Sequence, residues 1–254
     1  MARRTAWDRR PRHPRGHPPP FDQRENLVSR GGARGHTRVL TARKRTAQST
    51  RWLERQLNDP YVKRAKAEGY RSRAAYKLTE LDEKFAFLRG KKRVLDLGIA
   101  PGGWTQVIRR KLPKAAVVGI DLLPVDPIDG ATILMMDFMD DAAPDRLIEE
   151  LGGAPDLIIS DMAANTVGHP QTDALRTMGL VEAAFDFAIQ VLEPGGDFVA
   201  KVFAGGADSQ FVAQMKRSFA TVKHAKPAAS RKGSVEWFVV AQGFKGRVAK
   251  PAEE

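Results

Sequence analysis

The 254-residue chain carries 42 Lys/Arg against 30 Asp/Glu, a net charge of +12, and is long enough for one domain of about 200 residues with a full core plus an appendage. It contains no cysteine, which excludes disulfides, thiolate metal sites, iron–sulfur clusters and cysteine nucleophiles. No apolar run approaches the roughly 18 residues that could span a bilayer, and nothing reads as a charged-then-apolar leader, so a soluble, unsecreted, cytoplasmic protein is expected.

Residues 1–48 hold 13 Arg/Lys against 3 Asp/Glu, so +10 of the net +12 lies there. This stretch is rich in Arg, Pro, Gly and His and poor in aliphatics, and cannot bury enough apolar surface to offset the entropy of ordering itself. Two readings stay open for it, a solvated tail and an RNA-binding arm that neutralises phosphates. A mitochondrial presequence fits badly, because Pro11, Pro14 and Pro18 to Pro20 would break its amphipathic helix.

Ser49 is a candidate N-cap for a helix over Thr50 to Leu57, and Pro60 can open a second helix. Residues 51–92 hold 12 Lys/Arg against 6 Asp/Glu and offer a positive face beside the fold. The spacing of Ala75, Leu78, Leu81 and Phe85 predicts a helix over Ser72 to Phe85 with one apolar stripe. Strands are then expected at Val94 to Leu97, Ala116 to Ile120, Thr132 to Met136, Leu157 to Ser160 and Phe198 to Val202. Helices alternate with them at Trp104 to Lys111, Pro144 to Leu151, Thr172 to Leu192 and Ser209 to Ser218, the rhythm of a parallel sheet covered on both faces. Phe219 to His224 and Val235 to Ala241 are separated by a polar loop too short for a covering helix, which predicts an antiparallel ending. The folded domain is placed at 49–246, followed by a short polar tail at 247–254.

Val94-Leu-Asp-Leu-Gly-Ile-Ala-Pro-Gly-Gly-Trp104 sets a strand, a Gly-rich turn and a helix start in succession at the first crossover of the sheet, where ligands bind in open α/β folds. Gly98, Gly102 and Gly103 allow a tight turn and close approach of a ligand. The Gly-Lys-Ser/Thr of phosphate-cradling loops and the G-x-G-x-x-G of dinucleotide folds are both missing. Acids surround the turn instead. Asp96 lies in the first strand, Asp121 ends the second and Asp137 follows the third. Each alone could be an ordinary turn-starting Asp. Together they suit S-adenosylmethionine, whose sulfonium and ammonium are cationic: Asp121 for the ribose hydroxyls, Asp137 for the adenine edge, Asp96 near the amino-acid end.

Lys201 breaks the otherwise apolar Phe198-Val-Ala-Lys-Val-Phe203, and Asp161 follows Leu157-Ile-Ile-Ser160 at the carboxyl end of the neighbouring strand. A lysine in a central strand is seldom buried unless paired, whereas on an edge strand it would be a gatekeeping charge. A ribose 2′-hydroxyl must lose its proton as it attacks a sulfonium methyl, so a base must lie within hydrogen-bond reach. An amine, ordinarily near 10.4, is drawn toward neutrality by burial beside another cation and oriented by carboxylates. A second lysine and two acids are the expected supporting cast.

Ser72-Arg-Ala-Ala-Tyr-Lys77-Leu, Asp96 to Trp104, Asp121-Leu-Leu-Pro-Val-Asp-Pro127, Ser160-Asp-Met-Ala-Ala-Asn165 and Lys201-Val-Phe203 together resemble the FtsJ/RrmJ family of large-subunit ribosomal RNA 2′-O-methyltransferases, over about Ser49 to Gly243. The resemblance implies a Rossmann-like S-adenosylmethionine-dependent methyltransferase fold: a seven-stranded, mostly parallel sheet with an antiparallel last strand and helices on both faces. It implies a catalytic tetrad of Lys77, Asp161, Lys201 and Glu236 with Lys201 as proton acceptor, and cofactor binding by Gly102, Trp104, Asp121, Asp137 and Asp161. Of these, Asp121, Asp137, Asp161 and Lys201 are also reached from the residues themselves, whereas Lys77 and Glu236 rest on the resemblance. It further implies a monomer that methylates a uridine in the aminoacyl-tRNA-binding loop of 23S ribosomal RNA in a nearly assembled subunit, yields S-adenosylhomocysteine and requires no metal. Ala164 departs from the proline that bacterial members usually carry after Asp-Met-Ala. The rivals are a 2′-O-methyltransferase of tRNA or another RNA, a non-catalytic ribosome-assembly factor, and a nicotinamide-dependent dehydrogenase, which lacks its glycine fingerprint.

Overall fold

A computed structural model describes residues 28–30, 37–39, 46–164, 168–203 and 209–247. The chain divides into two compact units after Asp59. The expected tails at 1–48 and 247–254 lie largely outside the described residues. In the first unit, β1 (Val28–Arg30) pairs antiparallel with β2 (Thr37–Val39), and α1 spans Ala47–Asn58. Its N-cap is Thr46, whose hydroxyl accepts from Ser49 N at 3.2 Å, so Ser49 is capped rather than capping. Two hydroxyl residues three apart offer equivalent caps, and only the backbone path distinguishes them.

The second unit opens with α2 (Pro60–Ala67) and α3 (Ala74–Phe85). Ala75, Leu78 and Leu81 of the α3 stripe are buried as their spacing requires, while Ser72 and Arg73 precede the helix. The alternating elements follow: β3 (Arg93–Leu97), α4 (Gly103–Lys111), β4 (Ala116–Asp121), β5 (Ala131–Met135), α5 (Ala143–Leu151), β6 (Leu157–Ser160), α6 (Pro170–Val191), β7 (Asp197–Phe203), α7 (Ser209–Ser218), β8 (Phe219–Ala225) and β9 (Glu236–Phe244). They form one seven-stranded sheet in the order β5-β4-β3-β6-β7-β9-β8. β3 to β7 pair parallel, and β9 inserts between β7 and β8 antiparallel to both. This is the expected Rossmann-like methyltransferase architecture.

Alternation along the strands divides the core. Leu95, Leu97, Ile158, Phe198 and Ala200 pack with α5, α6 and α7, whereas Val94, Val117, Leu157, Ile159, Val199 and Phe238 pack with α3 and α4. The chain runs outward from β3 through β4 to β5, then returns to β6 on the other side of β3. The carboxyl ends of β3 and β6 therefore flank the topological switch point, where open α/β sheets hold their ligands. Strand β7 is internal, flanked by β6 and β9, so Lys201 is not an edge charge.

Phe185 is fully buried, with ring centroids 6.0, 5.3 and 6.3 Å from Phe198, Phe211 and Phe219. Phe185→Ala should lower unfolding free energy by about 3–5 kcal/mol, read as a lower denaturant midpoint at unchanged slope.

Candidate active site

The turn after β3 is built by its glycines. Gly98 N and Ile99 N both donate to Ile120 O, at 2.9 and 3.2 Å, which folds the chain back over β4. Gly98 has φ +83°, and a Cβ there would lie 2.8 Å from the Met162 side chain. Gly102, at φ +106°, is the N-cap of α4, and its Cβ would lie 2.6 Å from Ile128. Only glycine fits either position. The first N–H groups of α4 are left without partners inside the helix, as in anion- and carboxylate-accepting turns. Arg71 ties this turn to the β4–β5 loop, donating to Asp126 O and Pro127 O at 2.7 Å each and to Pro101 O at 3.3 Å. Trp104 is a strut rather than a lining residue. Its indole is 3% exposed, donates to Ala74 O at 2.8 Å and packs 5.7 Å from the Phe238 ring, so only its main chain reaches the turn.

The three acids meet different surroundings. Asp121 accepts from Ala100 N and Leu123 N, both at 2.9 Å, and so holds the Gly-rich turn against its own strand end. Exposed Asp137 accepts from Met139 N at 2.9 Å in a tight turn. Both have the turn-forming contacts of ordinary post-strand Asp residues, with lone pairs to spare. Asp96 is 1% exposed; Thr105 Oγ1 donates to its Oδ2 at 2.6 Å, while Oδ1 is buried with no partner. Burial pushes its carboxyl up to about 7; the Thr105 hydrogen bond opposes this, and the Asp161 and Asp121 charges add to it. An orphaned buried carboxyl oxygen beside a glycine cradle fits a cationic ligand group.

Lys201, its side chain 8% exposed, donates from Nζ to Asp161 O at 2.6 Å and stands 3.0 Å from Asp161 Oδ1. Asp161 N donates to Leu97 O at 3.1 Å, which fixes the end of β6 against the end of β3. Lys77 on α3 donates to Glu236 Oε2 on β9 at 2.7 Å, both groups largely buried. The two pairs share one site. Burial raises the Asp161 carboxyl, but the Lys201 and Lys77 charges and the Lys201 hydrogen bond outweigh it and hold the group below the usual carboxylate range. Lys77 Nζ also lies 5.7 Å from the ring centroid of Phe238, which stands directly opposite Lys201 in the β7–β9 register. Two cations and two anions thus meet at the carboxyl edge of the sheet, beside the turn.

Sequence reasoning missed Thr105, Arg71 and Ser230. Ser230 Oγ donates to Glu236 Oε1 at 2.8 Å. Thr105 is the third residue of α4 and reads in the sequence as ordinary helix surface, and Ser230 lies in a polar loop. Arg71 adjoins the motif that carries Lys77, a signal that could have singled it out.

The model of the FtsJ-like methyltransferases matches residues 70–244, more than half of the chain. The chain belongs to that family. Similar FtsJ-like proteins include the ribosomal RNA large subunit methyltransferase E of Sphingopyxis alaskensis, 70% identical over 220 residues, which cover 86% of this chain and 96% of that one. The protein of the same name from Zymomonas mobilis is 66% identical over 212 residues, covering 84% and 96% respectively. Among solved structures, one from Plasmodium falciparum described as a ribosomal RNA methyltransferase aligns with a TM-score of 0.61 at 32% identity, over 70% of this chain and all of that one.

Asp96 makes the stability of this FtsJ-like methyltransferase pH-dependent. Its folded value, about 7, lies above that of the unfolded chain, so its contribution is fully present below pH of about 4 and is lost as pH rises through about 7. Asp96→Asn keeps an acceptor for Thr105 and removes the titration. The melting temperature of the variant should therefore gain on wild type as pH rises from 4 to 7; a constant difference across that range would refute the assignment.

Proposed function

We propose that this FtsJ-like methyltransferase methylates the ribose 2′-hydroxyl of a uridine in the aminoacyl-tRNA-binding loop of 23S ribosomal RNA, acting as a cytoplasmic monomer on a nearly assembled large subunit. The observation that carries the chemistry is the Lys201 amine held by the main chain and carboxylate of Asp161, with the Lys77–Glu236 pair in the same field. The names of the relatives support the RNA.

S-adenosylmethionine, when bound, supplies a methyl group on a sulfonium and leaves as S-adenosylhomocysteine. Gly102 and the main chain of Trp104 would hold its amino-acid end together with Asp161 and Asp96, Asp121 its ribose and Asp137 its adenine edge. In its neutral amine form Lys201 takes the 2′-hydroxyl proton at Nζ as the oxygen attacks, and Asp161 aims that nitrogen and stabilises the ammonium formed. Lys77 places a second positive charge in the field of Asp161, and Glu236 keeps Lys77 compensated in its buried position. The leaving group is a neutral thioether and the proton acceptor an amine, so the proposed step requires no metal ion.

Lys201→Ala should lower methylation of large-subunit RNA roughly 10²- to 10⁴-fold at unchanged S-adenosylmethionine binding. Retained turnover would sink the mechanism. Mapping ribose methylation in RNA from cells that lack the protein tests the substrate: an unmodified uridine in the large-subunit loop is expected, and a change confined to tRNA would transfer the activity to that RNA. The basic segment 1–48 is proposed to add sequence-independent affinity. Deleting it should make the logarithm of RNA affinity fall less steeply with the logarithm of salt, by about 0.7–0.9 for each phosphate that the segment neutralises; an identical slope would leave the segment without that role.

A further inference from the structure

The loop between β8 and β9 carries a serine that the tetrad does not include. Ser230 is 5% exposed and donates to Glu236 Oε1 at 2.8 Å, while Lys77 Nζ donates to Oε2 of the same carboxylate at 2.7 Å. We infer that Ser230 is a positioning residue for methyl transfer: by holding the second oxygen of Glu236 it fixes the direction in which that carboxylate presents Lys77 to the Asp161–Lys201 pair. The inference rests on the tetrad reading given above.

The serine is itself firmly placed. Its N–H donates to Pro227 O at 2.9 Å, and the adjoining Ala229 is buried, with its N–H donating to Glu80 Oε2 at 2.8 Å and its carbonyl accepting from Arg73 Nη2. Tyr61 of α2 donates to the other Glu80 oxygen at 3.1 Å. Burial and the Glu80 carboxylate both push the Tyr61 phenol up, so it stays a donor. Farther along the loop, Lys226 Nζ donates to Ser234 O at 2.6 Å and Glu236 N to Ser234 Oγ at 3.1 Å.

The contacts close a ring. Lys77 and Glu80 lie three residues apart on α3; Lys77 reaches Glu236, Glu236 reaches Ser230, and Ser230 is one residue from the Ala229 amide that Glu80 holds. A carboxylate with one oxygen bound to a flexible lysine can turn about its terminal torsion. With a buried hydroxyl on the other oxygen it cannot turn without breaking a charge-assisted hydrogen bond. Simple satisfaction of a buried oxygen would need no such ring and would show only as stability.

The test compares wild type, Ser230→Ala, Ser230→Thr, Glu236→Gln, the double variant Ser230→Ala/Glu236→Gln, and Lys201→Ala, each as the full chain. Methylation is followed with tritiated S-adenosylmethionine on large ribosomal subunits from cells lacking the enzyme, with kcat, both KM values and Tm recorded. Ser230→Ala should lose on the order of ten-fold in kcat with both KM values unchanged, the expectation for losing a hydrogen bond to a charged group. Ser230→Thr should recover most of that loss, and in the Glu236→Gln background Ser230→Ala should cost nothing further. If Ser230→Ala does not fold, Ser230→Cys, near in shape but a weak donor, should show the same drop in kcat. Wild-type kcat in the serine variants, with activity lost in Glu236→Gln and Lys201→Ala, overturns the role of Ser230 alone. Full activity in Lys201→Ala overturns the tetrad and the inference with it.

Discussion

A lysine in the middle of an internal strand governs the architecture of this site. An ammonium withdrawn from water carries a desolvation cost that only close, well-aligned partners offset, and breaking such a pair leaves an uncompensated buried charge. Lys201 meets that requirement through the end of the adjacent parallel strand, where the carbonyl and carboxylate of Asp161 are both in reach. A second cation, Lys77, would worsen the imbalance if it came without Glu236. The neutral sum of two cations and two anions lets all four groups sit near the core. The fold therefore constrains the site tightly, because removing either acid leaves a largely buried cation without its counter-charge.

Charge is also sorted across the site. Acids stand at the ends of β3 and β4 and just after β5, around the Gly-rich turn, whereas the lysines come from α3 and β7. Under the proposed reaction a cationic methyl donor and a polyanionic acceptor need opposite surroundings within one cleft, and the order of strands in the sheet provides them. Asp161 lies on the boundary, bonded to the end of β3 through its main chain and paired with Lys201.

Much of this was legible in the sequence. The parallel strands show as short aliphatic runs, and their ends agree with the sheet to within one residue; in the inner strands burial on both faces leaves a continuous apolar signal, while outer β5 is only partly buried. Asp161 and Lys201 are conspicuous because a charge interrupts that signal. Lys77 is not, since a lysine on an amphipathic helix is ordinary, and its partner Glu236 is 159 residues away in the sequence. Pairings made across such a separation depend on the return of β9 into the sheet, which periodicity does not encode. The indole of Trp104 and the hydroxyl of Ser230 follow the same rule: residue type and spacing give the element, but the direction in which a side chain points is settled by what packs against it. The cap of α1 at Thr46 instead of Ser49 is a local version of that ambiguity.

The last strand enters the sheet between two earlier ones, and it brings Glu236 with it. During synthesis, the parallel strands are complete well before that carboxylate exists, and until then β7 has an unpaired edge next to a lysine whose neighbouring cation lacks its counter-charge. A ribosome must thus extend the chain into β9 before the four charges can balance. Partial chains, whether stalled or cleaved ahead of β9, would carry the Gly-rich turn yet expose a sticky sheet edge, so the point at which the four charges balance coincides with the point at which the edge of β7 is covered.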